Sequence, residues 1–412
     1  MGNVTNLAAE TVSDNESLPI NSSVKRVASV DVYRGFVMLL MMAEVLSLSQ
    51  VSASVPDSGF WQFLSFHQSH VPWTWLALHD MIQPSFTFLV GVVLPYSIAS
   101  RKSKGASFKI LMLHTIKRSL ILIFLGIFLR SMDSNQTYFT FEDTLSQIGL
   151  GYTFLVLLGF SSQRTQIIAL VVILVGYWLA FAVYPLPDSS FDYATAGVTA
   201  NWEHNLHGLA AHWNKNTNMA WAFDKWFLNL FPRESPFTNN EGGYSTLSFI
   251  PTLGTMILGL LAGNILTSAK TQKEKVNFFV VTGLCLVGAG ILLHVTGINP
   301  IVKRIWTPAW TIFSGGICFL FLAFFYSVVD VAGKKKWSYF LMVIGANSIA
   351  AYVLSDGGIR SLLHKSLYIH LGKDFDKFLG EPYAPLVSGA ITLLLLWLIL
   401  NWMYRKKIFI RI

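Results

Sequence analysis

The chain has 412 residues, of which 53% are apolar and only 13% charged, and it carries 13 Trp, 14 Tyr and 31 Phe. Soluble domains are roughly 25% charged, so this composition excludes an ordinary water-soluble globule and points to a bilayer protein with interfacial aromatics. The net charge of +8 gives no nucleic-acid reading, because the basic residues fall in short clusters between apolar runs and form no stripe on a soluble face.

Residues 1–28 are polar and lack the apolar core of a signal peptide, so a flexible cytoplasmic tail is expected there. Residues 29–412 read as one transmembrane domain. Crossing about 30 Å of hydrocarbon takes about 20 residues of helix, and ten apolar runs qualify: about 32–53, 77–99, 113–130, 145–160, 166–184, 246–267, 277–296, 308–329, 337–355 and 384–403. The expected fold class is therefore all-α, a polytopic membrane helix bundle of about ten transmembrane helices. The clusters Arg101–Lys104, Lys270–Lys275, Lys334–Lys336 and Arg405–Lys407 all fall on one side of such a bundle. By the positive-inside rule that side is cytoplasmic, and it holds both the N- and C-termini.

This topology puts His67, His70 and the neighbouring tryptophans in the first external loop. It leaves one long external segment, 185–245, rich in Trp, Asn and His, and a second at 356–383; short amphipathic helices against the mouth of the bundle are expected in both. His204, His207 and His212 do not match a zinc spacing, so no metal is expected. An Asn- and Trp-rich surface suits a sugar, with amides meeting hydroxyls and indoles the C–H face. Cys285 and Cys318 lie inside predicted spans and read as small apolar filler. Gly254, Gly259 and Gly263 in the sixth span suit close helix packing.

The stretch from His70 to Tyr96 carries the chemistry. His70 lies in a loop beside Trp73 and Trp75, and Asp80 opens the second span. A carboxylate there could hold an imidazole tautomer or pair with Arg34, Arg130 or Lys303, and a neutral imidazole so fixed is a competent base near pH 7. His79 is the weaker candidate, since it points off a different helix face from Asp80. Asp31 and Arg34 form a local i,i+3 pair. Glu44 falls mid-span, where an ionised carboxylate needs a cation or a polar interior. Gln147, Asn347 and Ser348 are buried polar groups that either line a cavity or tie helices together. A membrane enzyme and a transporter for a sugar or acyl-bearing metabolite both remain open at this level.

Several ordered blocks are recognisable. The first span opens Ser29-Val-Asp31-Val-Tyr33-Arg34-Gly35. His70-x-x-Trp73, Asp80 and Pro84-x-Phe86 follow, then Phe88-Leu-Val-Gly91 and Leu145-Ser-Gln147-Ile. Later come Glu241-Gly242-Gly-Tyr-Ser245-Thr246, Lys303-Arg-Ile-Trp306-Thr307-Pro308-Ala-Trp310 and Gly345-Ala-Asn347-Ser348-Ile. In these blocks the chain resembles the transmembrane acetyltransferases of the heparan-α-glucosaminide N-acetyltransferase family, most closely their bacterial members. Two positions depart from the pattern: Val45 stands where the family usually has Asn, with Glu44 one position earlier, and Ile148 stands where Arg usually follows the Leu-Gln pair.

The resemblance implies a multi-pass acetyltransferase of a bacterial inner membrane. It would use cytosolic acetyl-CoA as cosubstrate and acetylate an amino sugar or envelope glycan on the periplasmic side. His70 corresponds to the family's essential histidine and would be the catalytic base or acyl carrier, with Asp80 as its orienting partner. Trp73, Asn347 and Ser348 would line the cofactor cavity, and Lys303 and Arg304 would meet cofactor phosphates or Asp80. The implied partners are acetyl-CoA, the glycan and membrane lipids, with room for a homodimer and none for nucleic acid. A transporter, or an inactive scaffold in an envelope complex, is the alternative.

Overall fold

A computed structural model describes residues 27–410; the expected tail at 1–28 falls outside the described residues but for its last two positions. The described residues form helices α1 (Ala28–Met42), α2 (Leu48–Ser54), α3 (Gly59–Gln68), α4 (Ile82–Lys102), α5 (Phe108–Arg130), α6 (Thr144–Gly159), α7 (Gln163–Ala182) and α8 (Met219–Phe227). There follow α9 (Phe249–Thr267), α10 (Gln272–Val295), α11 (Pro308–Phe325), α12 (Tyr339–Ala346), α13 (Ser348–Asp356), α14 (Ile359–Leu371) and α15 (Ala384–Arg405). The protein is thus an all-α, polytopic membrane protein. Among the described residues seven helices are long and apolar enough to cross a bilayer, and nine spans result if α1–α2 and α12–α13 each count as one. The fourth of the ten expected spans is the shorter apolar helix α6, and the first and ninth are broken, by 42° after Leu46 and by 81° at Asn347. A run of apolar residues signals the need for burial in lipid; it does not signal where the helix bends.

Helix starts follow from their caps. Ser107, Asp143, Ser162, Thr271 and Thr307 each accept a backbone N–H from the first turn of α5, α6, α7, α10 and α11. Among the described residues helix α1 has no local side-chain cap. Asp330, 301 residues away, accepts from Ser29 N at 2.9 Å and from Ala28 N at 3.2 Å, placing a carboxylate on the positive end of the helix dipole.

At the centre α4 runs beside α9, and α1 beside α12. The first pair meets backbone to backbone: a Cβ at Gly259 would collide with the Phe88 carbonyl, and one at Gly91 with the Met256 carbonyl. Small residues permit this approach, and dispersion between the closely packed helices holds it where lipid offers no hydrophobic drive. Helices α7 and α10 lie at the periphery with mostly exposed apolar residues, as lipid-facing helices should. Alternation of the long helices gathers the Lys- and Arg-bearing turns at one end, the basic end. The long connections lie at the other, where segment 183–248 folds into short helical turns over a cluster of Trp73, Tyr177, Phe181, Trp213 and Ile305.

Candidate functional site

Two loops at the loop-rich end are stitched together. Trp75 N–H donates to the Ile301 carbonyl at 3.1 Å, and Thr74 pairs with Val302 as an isolated bridge. The stitch brings His70 and Lys303, 233 residues apart, onto one carboxylate. Two bulky residues flank it with positive φ, Trp75 at 72° and Trp306 at 49°, a strained backbone that the surrounding packing must hold.

Asp80 lies in the turn Leu78–Met81 that leads into α4, and its side chain is 1% exposed. Its Oδ2 accepts from Ala77 N at 2.9 Å and Val71 N at 3.3 Å, which fixes the carboxylate plane. Its Oδ1 lies 2.7 Å from His70 Nδ1 and 3.1 Å from Lys303 Nζ. An ammonium has no acceptor and a carboxylate no donor, so His70 carries its proton on Nδ1 and donates it to Asp80, while Lys303 donates to the same oxygen. Nε2 of His70 is left with its lone pair, and no hydrogen bond reaches it among the described residues. Burial lowers the His70 pKa below the ordinary imidazole value; the charges of Lys303 and His79 push the same way, and the hydrogen bond to Asp80 partly opposes them. A neutral imidazole with one free nitrogen is the form a general base or nucleophile needs.

His70 borders a cavity of about 440 Å³. Its walls include Met38 and Met41 of α1, Phe86 of α4, Arg130 of α5, and Tyr352 and Asp356 of α13. The far wall carries Glu142, Asp143 and Asn240, with Asn240 Nδ2 donating to Glu142 at 2.8 Å. Burial pushes both of these carboxyls up from their usual range. A second cavity, of about 670 Å³, opens at the basic end, lined by Asp31 and Arg34 of α1, Tyr96 and Ser100 of α4, and Arg118 of α5, with Met342 and Ala346 of α12 beside them. Helices α1, α4 and α5 therefore line both cavities, one above the other, with α13 beside the first and α12 beside the second. Arg34 and Met38 are four positions apart on α1 and Phe86 and Val93 seven on α4, or roughly 6–10 Å of helix.

The other residues singled out from sequence are placed as follows. Arg304 donates to the carbonyls of Gly242 at 2.9 Å and Val71 at 3.1 Å and stacks on Tyr244, so it braces the loops around His70. Trp73 is fully buried in the aromatic cluster beneath the 183–248 segment, its indole N–H donating to the Trp213 carbonyl at 3.2 Å, and it borders neither cavity. Asn347 sits in the break between α12 and α13, where it donates to the Ile408 carbonyl at 2.9 Å and accepts from Ile410 N at 3.2 Å. Ser348 follows it as the first residue of α13. Gln147 ties α6 to the carbonyls of Phe141 and Thr246. Arg34 lies 3.4 Å from Asp31, as the spacing predicts.

Sequence reasoning missed Glu142, Asp143 and Asp356, which lie near the ends of predicted spans with no motif to mark them. It also missed the union of Glu44 with His79, whose Nε2 is 2.9 Å from Glu44 Oε1. The unpaired mid-span carboxylate and the spare imidazole were each visible alone.

No protein-family model matches the chain. It is 22% identical to human heparan-α-glucosaminide N-acetyltransferase over 428 residues, an alignment taking in 94% of this chain and 60% of that protein. Against the mouse protein of the same name it is 23% identical over 371 residues, with 81% and 53% covered. The chain thus spans between about half and three-fifths of the length of these relatives. It is a multi-pass membrane protein distantly related to the heparan-α-glucosaminide N-acetyltransferases.

Proposed function

We propose that this protein is a transmembrane N-acetyltransferase that carries an acetyl group from acetyl-CoA at the basic, cytoplasmic end to the amine of an amino sugar or glycan at the opposite, extracytoplasmic end. The observation that carries the reading is the stacked pair of cavities sharing α1, α4, α5 and the broken α12–α13 element. Arg34 and Arg118 at the basic end suit the phosphates of the nucleotide. An extended thiol arm threaded between α1 and α4 would then bring the thioester up to His70. The carboxylates and amide of the upper cavity suit the acceptor's ammonium and hydroxyls. In the transfer His70 Nε2 takes a proton from the attacking amine, or itself accepts the acetyl group. Asp80 holds the ring in the Nδ1–H tautomer and stabilises the imidazolium, and Lys303 balances the Asp80 charge. A ten-span topology returns both termini to the cytoplasm, in keeping with the basic turns, and a bacterial inner membrane is the location we propose.

The test is acetyl transfer by purified protein in detergent, with acetyl-labelled CoA and glucosamine. Label should appear on the sugar amine, and His70→Ala should lower the rate by a factor of about 10²–10⁴. Wild-type protein that neither binds CoA nor releases its acetyl group would sink the proposal.

A further inference from the structure

A second imidazole–carboxylate pair stands beside the first, and the transfer set out above leaves it unused. His79 Nε2 lies 2.9 Å from Glu44 Oε1, and Glu44 Oε2 lies 3.4 Å from Arg360 of α14. The rings of His70 and His79 lie with centroids 4.7 Å apart and planes tilted by 54°, and both line the 440 Å³ cavity. With Nε2–H donating to Glu44, His79 keeps the lone pair of Nδ1, to which no hydrogen bond is made among the described residues. His70, His79 and Glu44 also border a separate hollow of about 320 Å³ with Ser47, Ser49, Gln68 and Ser69. The pair therefore touches the reaction cavity on one side and a polar hollow on the other.

Proton accounting gives that pair a task. An alkyl amine is an ammonium at neutral pH and cannot attack a carbonyl in that form. Two protons must leave its nitrogen during acetylation, and His70 Nε2 has room for one at a time. On the acetyl-transfer reading proposed above, we infer that His79 is a second base, which strips the acceptor's ammonium before attack. In the first step an N–H bond of the ammonium breaks and its proton goes to His79 Nδ1. The neutral amine then attacks the thioester carbon. The C–N bond forms, the C–S bond breaks, and the second proton passes through His70 Nε2 to the departing thiolate. The proton on His79 leaves through the serine- and glutamine-lined hollow, so each turnover releases one proton, as ammonium plus thioester giving amide plus thiol requires. If acetyl-His70 forms first, the accounting at the amine is unchanged. Glu44 is a positioning residue that fixes the His79 tautomer. The titratable groups facing His79 are Glu44 and His70, with Asp80, Lys303 and Arg360 one contact beyond; His67 Nδ1 of α3 accepts the N–H of the adjacent Leu78.

The bland alternative is that His79 merely satisfies a mid-span carboxylate. The two differ in what an acceptor that needs no deprotonation does. Acetylation would be followed with glucosamine from about pH 6.5 to about pH 9.5, and at neutral pH with methoxyamine, which is already uncharged, in wild type, Glu44→Gln and His79→Gln. The inference predicts a loss with glucosamine of about tenfold at the low end, set by the small share of free amine there. That loss should close as the free amine becomes the main species, and methoxyamine turnover should stay near wild type. A deficit of equal size at every pH and for both acceptors, or no deficit at all, would overturn it. Should His79→Gln fail to fold, Glu44→Gln decides the outcome. Wild-type protein inactive on both amines would instead remove the transferase reading beneath it, a result distinguishable without either variant.

Discussion

Two chains of imidazole, carboxylate and cation lie side by side at the loop-rich end, built from the same residue types and different in burial. In His70–Asp80–Lys303 the carboxylate is 1% and the lysine 6% exposed, and four donors converge on the two carboxylate oxygens. In His79–Glu44–Arg360 the carboxylate is 40% and the arginine 36% exposed, and the arginine contact is a long 3.4 Å. Water screens the second chain and leaves it free to rearrange. Asp80 and Lys303 of the first are desolvated, so each depends on the other, and an unpaired charge there has no solvent to fall back on; the His70 side chain stays 39% exposed. In the first the carboxylate and its cation are fixed and the half-exposed His70 ring exchanges the proton; in the second the ring, His79, is buried and its carboxylate and cation are the mobile partners.

The contrast can be broken experimentally, beginning at the buried end. Lys303→Met leaves Asp80 buried without its cation and should cost about 3–5 kcal/mol, read as a large fall in the thermal midpoint in detergent. Adding Asp80→Asn to it should recover part of that loss, since the double variant has no orphaned charge. A Lys303→Met protein as stable as wild type would mean that the first chain is solvated like the second. The next effect concerns pH. His70 titrates below the usual imidazole value of about 6.5. Acidification protonates Nε2 and removes the base, so kcat/KM should fall only below that pH. Removing the Lys303 charge makes protonation easier, and the acid limb should move to higher pH in whatever Lys303→Met protein folds; a limb that stays put would deny the lysine its electrostatic part. The smallest effect is expected at the exposed end, where Arg360→Gln should change stability by less than about 1 kcal/mol. A loss several times larger would show that Arg360 is held as tightly as Lys303.

Much of this architecture was legible in the residues because the bilayer imposes a simple length rule. Each of the ten apolar runs is a helix or a broken helix pair in the structure. The union of His70 with Asp80 was readable for a local reason, since ten residues of loop connect them and a proline-bearing span begins immediately after. Lys303 was one of three cations that charge balance allowed, and only the stitch between residues 74–75 and 301–302 selects it. Arg360 meets Glu44 across 316 positions of sequence, and no periodicity or spacing carries such a pairing. Trp73 shows the opposite failing. The resemblance implies that it lines the cofactor cavity, yet three residues past His70 the loop has turned and its indole enters the aromatic cluster.

The break at Asn347 has a consequence for how the chain is made. Both hydrogen bonds of its side chain go to residues 408 and 410, and Tyr404 and Phe409 complete the wall of the basic-end cavity together with Met342 and Ala346. None of these partners exists while α12 and α13 are leaving the ribosome. The bent element must therefore wait, half-assembled in the insertion machinery or the surrounding lipid, until α15 has emerged and doubled back. The cavity that would receive the soluble cosubstrate cannot be complete before residues 404–410 have been made.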